Sequence, residues 1–81
     1  MTTTWTEDLQ KLSVEEVVSL EVQNREWGKG LRLGTTALVN SRLAKQITTE
    51  EYAVSRQRNK EEAAEYRRRT FLLLDEIVKR P

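Results

Sequence analysis

Two four-residue segments of this chain carry the complete signature of a helix start. In Ser13-Val14-Glu15-Glu16 and in Thr48-Thr49-Glu50-Glu51, a hydroxyl residue precedes a glutamate by three positions. The hydroxyl can accept a hydrogen bond from the backbone N–H of the glutamate, whose carboxylate can accept one from the N–H of the hydroxyl residue. Both segments therefore predict helix starts. Apolar residues occupy the two hydrophobic-staple positions of each box, Leu12 and Val17 in the first and Ile47 and Tyr52 in the second.

The lengths of the two helices depend on the residues after each box. The only proline is Pro81, so nothing in the sequence forbids a long helix. The second box opens a predicted helix over residues 49–79, which is ~46 Å long at 1.5 Å per residue. The first box opens a predicted helix over 13–27. Because three glycines come after it within seven positions, we expect a glycine-rich loop over 28–34.

A further helix is predicted over residues 35–46, with alanine, valine and leucine side chains on one side. Arg42 and Lys45 lie near its end, where cations suit the negative end of the helix dipole. Since the connection to residue 49 is short, this helix and the long one should form an antiparallel hairpin. An N-terminal arm or short helix is expected over 1–12. The sequence thus predicts one all-α domain, 1–81, in a three-helix arrangement.

The size of the chain limits how it can be stabilised. At 81 residues, a single hydrophobic core barely outweighs the entropy cost of ordering the backbone. The chain has no cysteine and no histidine, which excludes disulfides and thiolate metal sites and removes the commonest general acid or base. We therefore expect no enzyme, no metal site and no cofactor. Oligomerisation, as a homodimer, or binding to a protein partner is the remaining source of stability.

The end of the long helix is the most apolar part of the chain. Phe71, Leu72, Leu73 and Leu74, with Ile77 and Val78 after them, point all round the helix axis, and exposing them would create a large apolar patch. Two interpretations stay open: this end is the chain's own core, or one side of it contacts another chain. Trp5 can likewise fold back onto the core or anchor the arm on a neighbour. The residues predicted for an interface are Trp5, Tyr66, Phe71, Leu72, Leu74 and Val78.

The basic residues support a rival function. Residues 1–23 carry one base and five acids, residues 24–49 five bases and one acid, and residues 50–81 eight bases and seven acids. The glycine-rich segment has ingredients of an anion site but not the spacing of a nucleotide-binding loop, so a plain interhelical loop is the alternative. The glutamates around the arginines of the long helix favour a solvated, salt-bridged face. Candidate anion or nucleic-acid contacts are Lys29, Arg32, Arg42, Lys45, Arg67 and Arg68.

These patterns predict a cytoplasmic, non-catalytic interaction module, which would be a small regulator, inhibitor or adaptor that occupies a partner's surface. Small chains of this kind are often accessory proteins of phages or mobile elements. The alternative is a nucleic-acid-binding protein that uses the basic 25–45 segment with Arg56, Lys60 and Arg67. No membrane partner is expected, because no apolar run approaches the ~20 residues of a membrane span. Asp75 and Glu76 within the apolar cluster also argue against an amphipathic membrane contact.

Overall fold

The computed structural model describes residues 3–81 and consists of two long helices, preceded by a short arm. Helix α1 spans Val14–Leu43 and helix α2 spans Thr49–Lys79, while a short 3-10 helix, Leu9–Lys11, lies in the arm. No strand occurs in residues 3–81. The two helices pack side by side as a hairpin, which is elongated, with extents of 52 × 20 × 18 Å. The predicted all-α class is confirmed.

Both predicted helix starts are confirmed as complete capping boxes. The Ser13 hydroxyl accepts from the Glu16 N–H at 3.2 Å, and the Glu16 carboxylate accepts from the Ser13 N–H at 3.0 Å. Thr48 and Glu51 make the same pair of bonds at 3.1 and 3.0 Å. The backbone N–H of each cap favours the charged carboxylate, so the pKa values of Glu16 and Glu51 are lowered. Helix α2 begins and ends at the predicted residues.

The predicted loop over 28–34 and the separate helix over 35–46 are wrong. Helix α1 continues through Gly28, Gly30 and Gly34, and none of the three has a positive φ. A glycine inside a helix costs only about 1 kcal/mol relative to alanine, which packing against α2 can outweigh. At Gly28 the packing favours glycine, because an added Cβ would lie 2.5 Å from Cζ of Tyr66 and would displace the tip of that side chain. The three-helix arrangement is therefore replaced by a two-helix hairpin.

Helix α1 ends well beyond the glycines, at Leu43, two residues before a lysine. Lys45 adopts a left-handed backbone conformation with φ of 58°. Its N–H donates to the Arg42 carbonyl at 3.1 Å, and the Gln46 N–H donates to the Ser41 carbonyl at 2.9 Å. These two bonds form a Schellman motif, in which glycine is the usual residue at the left-handed position. The residue that most often signals a helix end is thus absent where the helix ends.

The core lies at one end of the hairpin. The arm folds across the end where α1 begins and α2 finishes, so that Leu9 joins Leu20 and Leu73 in a buried cluster. We call residues 3–28 and 65–81 the terminal half and residues 29–64 the loop half. All buried hydrophobic residues of the described chain belong to the terminal half: Leu9, Val17, Leu20 and Leu73.

Candidate interaction surfaces

Three arginines hold the N-terminal arm on one side of the hairpin. Two of them, Arg68 and Arg69, lie in α2, and the third, Arg80, is the C-cap residue of α2. The Arg69 guanidinium lies 4.7 Å from the ring centroid of Trp5 and 5.3 Å from that of Trp27. Arg68 forms an ion pair with Glu7 of the arm. Arg80 donates to the Leu9 and Leu12 carbonyls at 2.9 and 2.7 Å. Trp5 thus packs on its own chain, where Leu20 and Trp27 line the same groove.

The opposite side of the terminal half is not covered by the arm. Glu21 and Leu74 line a narrow groove between the helices on this side. Side chains three, four or seven positions away from these two project on the same side of their helices. We call the exposed apolar members of this set the open apolar face. With their exposed fractions, they are Val14 (63%), Val18 (55%), Phe71 (73%), Leu74 (52%), Ile77 (44%) and Val78 (82%).

The structure divides the six residues that the sequence predicts for an interface. Phe71, Leu74 and Val78 lie on the open apolar face. Trp5 and Leu72 instead pack against the buried cluster of the chain itself. Tyr66 lies between the helices, where its ring meets Trp27 edge-on with centroids 6.1 Å apart. Helix α2 therefore directs one side of its apolar end inward and leaves the other side exposed.

Three residues of this face, Val14, Val18 and Ile77, were not among the predicted interface residues. The sequence does contain a pattern that indicates these α1 positions. Val14 and Val18 are one helical turn apart, and α1 has more valines than fit on a single buried stripe. Only Val17 and Leu20 of α1 are buried. The sequence does not show which stripe of an apolar helix meets its neighbour, since this depends on how the two helices rotate about their axes.

Two ion pairs within the chain border the open apolar face. Arg25 pairs with Glu21 at 2.5 Å, and Lys79 pairs with Asp75 at 2.8 Å. Each carboxylate stabilises the protonated form of its partner, so the pKa values of Arg25 and Lys79 are raised. These pairs leave the face with little net charge, so it suits an apolar protein surface. Arg67, seven positions before Leu74, is an exposed cation near the face that has no ion pair within residues 3–81.

The six candidate anion contacts are spread along the molecule. Lys29 pairs with Glu26 at 3.3 Å, and Arg68 pairs with Glu65 at 2.7 Å as well as with Glu7. Arg42 donates to the Thr49 hydroxyl at 2.9 Å. The anion-binding loop considered for residues 28–34 is not formed, because that segment is helical. The remaining members, which are exposed, are Arg32, Lys45 and Arg67.

A second groove runs between the helices in the loop half, on a seam of small and polar residues. It has a volume of about 310 Å³ and contains no carboxylate. Arg56 donates to the Tyr52 hydroxyl at 3.4 Å. We call this site the basic groove. Its lining residues are Thr35, Leu38, Val39, Tyr52, Arg56, Asn59, Lys60 and Ala63.

The part of the chain that the structure describes contains neither the pattern of a metal site nor that of a membrane span. Within residues 3–81, no group of three or more carboxylates is placed to hold a metal ion. None of the helices in that range is both long and apolar enough to cross a membrane. No protein-family model, curated protein or solved structure shows a significant match to the chain. Function must therefore be inferred from the two surfaces themselves.

Proposed function

We propose that this chain is a non-catalytic protein interaction module that forms a homodimer through its open apolar face. In this role it would be a small regulator, inhibitor or adaptor that acts by occupying a partner's surface. The proposal is supported by six exposed apolar side chains, which helical periodicity places on the side of Glu21 and Leu74 in the terminal half. Contiguous patches of this kind on a small protein are typical of protein contact sites.

The surface area of the hairpin agrees with a missing partner. Its accessible surface is 6287 Å². A compact monomer of this mass is expected to expose about 5,000 Å², so the excess is roughly 1,200 Å². A standard interface hides about 800 Å² on each partner. The radius of gyration, 16.1 Å, also exceeds the ~12 Å expected for a compact domain of this length.

A second copy of the chain is the partner that best fits this face. Two hairpins related by a two-fold axis would bring Val18 and Leu74 against their own equivalents, which needs no charge complementarity. The product would be a four-helix assembly with an apolar seam of ordinary geometry. It would also add buried area to a chain that buries few side chains alone, which is the usual need of a small domain without disulfides.

Sedimentation velocity of charge-introducing variants tests the dimer. Wild type is expected to sediment as a dimer, and Leu74→Asp as a monomer with unchanged helical circular dichroism. Val54→Asp is the matched control, because Val54 lies on the same helix and is 73% exposed but belongs to the loop half. Val78→Asp repeats the test at the most exposed position of the face. A monomeric wild type, or a dimeric Leu74→Asp, would overturn the proposal.

Nucleic-acid binding through the basic 25–45 segment, with Arg56, Lys60 and Arg67, is the second candidate. It is supported by Arg32 and Arg67, which are exposed and have no ion pair in the described chain. Affinity for a DNA or RNA oligonucleotide that falls steeply with salt, and is lost in Arg32→Glu or Arg67→Glu, would favour it. Association that is insensitive to salt and abolished by Leu74→Asp would favour the protein interface.

A further inference from the structure

The basic groove exists because the seam between the helices changes character along its length. In the terminal half, Leu20 and Leu73 fill the space between α1 and α2. In the loop half, the residues beside the seam include Thr35, Asn59 and Ala63, which are small. Small side chains leave space that the neighbouring helix does not occupy, and the groove of about 310 Å³ is this space.

The lining of this groove combines apolar and cationic side chains. Leu38, Val39 and Tyr52 supply apolar surface, while Arg56 and Lys60 lie one helical turn apart on α2. Neither cation has a carboxylate within ion-pair distance in the described chain, and Lys60 is exposed.

The arginines of the terminal half are different, because most of them are paired with a glutamate. They are Arg25 with Glu21, Arg68 and Arg69 with Glu65, and Arg80 with Glu76. The unpaired cations are thus concentrated where the groove is.

The loop half as a whole also carries more bases than acids. Residues 29–64 carry seven bases and four acids, a net charge of +3, whereas the rest of the chain carries seven bases and nine acids, a net charge of −2. The potential around the groove is therefore positive, although the whole chain has a net charge of only +1. A ligand with negative charge would be attracted to this half and not to the other.

We infer that the basic groove binds an acidic amphipathic helix of another protein. Such a helix presents apolar side chains at i, i+3, i+4 and i+7, which would enter the space beside Leu38, Val39 and Tyr52. Carboxylates on its flank would pair with Arg56 and Lys60. From Tyr52 to Ala63 the groove is about three helical turns long, which matches a peptide helix of similar length. The apolar lining favours a peptide over a phosphate backbone, which offers no apolar side chains.

This inference rests on the proposed role as an interaction module and specifies the partner of a second surface. The probe is a fluorescein-labelled synthetic helix of leucine, glutamate and alanine, with its leucines at the spacing given above. Fluorescence anisotropy compares it with a peptide of the same composition in scrambled order. Wild type is expected to bind the amphipathic peptide about tenfold more tightly than the scrambled one, which corresponds to ~1.4 kcal/mol.

Matched double variants then locate the site. Arg56→Glu with Lys60→Glu is expected to weaken binding about tenfold or more, because it replaces attraction by repulsion. Lys11→Glu with Lys79→Glu changes the net charge equally but lies in the terminal half, where both side chains are exposed, and its affinity is expected to stay within about twofold of wild type. Equal losses in the two variants, or equal affinity for the scrambled peptide, would overturn the proposal. Tighter binding of a DNA oligonucleotide that displaces the peptide would overturn it as well.

Leu74→Asp separates this proposal from the dimer. Leu74 lies outside the basic groove, so this variant is expected to bind the peptide as wild type does. If wild type proves to be a monomer and still binds the amphipathic peptide through Arg56 and Lys60, the dimer fails and the groove stands. If the dimer forms but the groove variant keeps its affinity, only the groove proposal fails.

Discussion

The two halves of the hairpin are built from the same two helices but differ in what lies between them. The terminal half contains the buried leucines, the docked arm and a set of paired arginines. The loop half has no buried residue and leaves a groove beside its small seam residues. The comparison indicates that one half supplies most of the fold's stability, whereas the other can hold a binding surface because the fold does not depend on it.

Two leucine-to-alanine substitutions test this division most strongly. Leu73→Ala is expected to lower the free energy of unfolding by about 3 kcal/mol, because Leu73 is 1% exposed and its removal leaves a cavity. Leu33→Ala, in the loop half, removes the same atoms from a side chain that is 71% exposed and should change stability by less than about 0.5 kcal/mol. Urea denaturation at one fixed protein concentration measures both. Equal losses would contradict a core confined to the terminal half.

Alanine substitutions at two glycines of α1 are expected to change the stability of the hairpin in opposite directions. Gly28→Ala is expected to destabilise the hairpin by about 1–2 kcal/mol, since its Cβ would meet the Tyr66 ring. Gly34→Ala has no atom within 4 Å of its Cβ and should stabilise the hairpin by about 0.5–1 kcal/mol. Thermal unfolding followed by circular dichroism gives both signs. A Gly28→Ala protein that is stabilised as much as Gly34→Ala would show that the Tyr66 contact is not tight.

One substitution in the loop that connects the two helices is expected to stabilise the hairpin. Lys45→Gly is expected to stabilise the hairpin by about 1 kcal/mol, because glycine adopts the left-handed conformation without the steric cost of a Cβ. Ala44→Gly is the control, since Ala44 has a φ of −79° and gains nothing from glycine. Urea denaturation distinguishes the two. A loss of stability in Lys45→Gly would contradict the Schellman geometry.

Acidification is expected to have the smallest effect and to act mainly on the terminal half. Hydrogen bonds from Arg68 and Arg69 lower the pKa of Glu65 from 4.5 to about 2. A carboxylate with a lowered folded-state pKa stabilises the fold above its ordinary pKa, and this contribution is lost as the pH falls from about 4.5 towards about 2. Glu65→Gln should therefore flatten the loss of stability in this pH window.

Glu62→Gln provides the control for this titration. Glu62 pairs with Arg58 in the loop half at 3.7 Å, which is longer than the bonds of Glu65. Its replacement is expected to leave the pH dependence of the urea midpoint close to that of wild type. If both variants showed the same flattening, the ion pairs of Glu65 would contribute no more to the pH dependence of stability than the ion pair of Glu62.

The sequence predicted the helix starts correctly because a capping box is a local pattern whose hydrogen bonds involve four neighbouring residues. It failed at Gly28 because the decisive contact, with Tyr66, comes from a residue 38 positions away. It also failed at Lys45, where a left-handed conformation occurs without glycine. The open apolar face was predicted for α2 at Phe71, Leu74 and Val78, whereas its α1 members required the orientation of one helix against the other.

The claim on which the proposed function depends is that a second copy covers the open apolar face. The chain has no cysteine, so Leu74→Cys and Val54→Cys each place a single thiol on α2. Treatment with a short bismaleimide, followed by denaturing electrophoresis, reports which position lies near its equivalent in another copy. We predict a cross-linked dimer for Leu74→Cys and a monomer for Val54→Cys. Equal cross-linking at both positions, or none at Leu74→Cys, would contradict the proposed dimer.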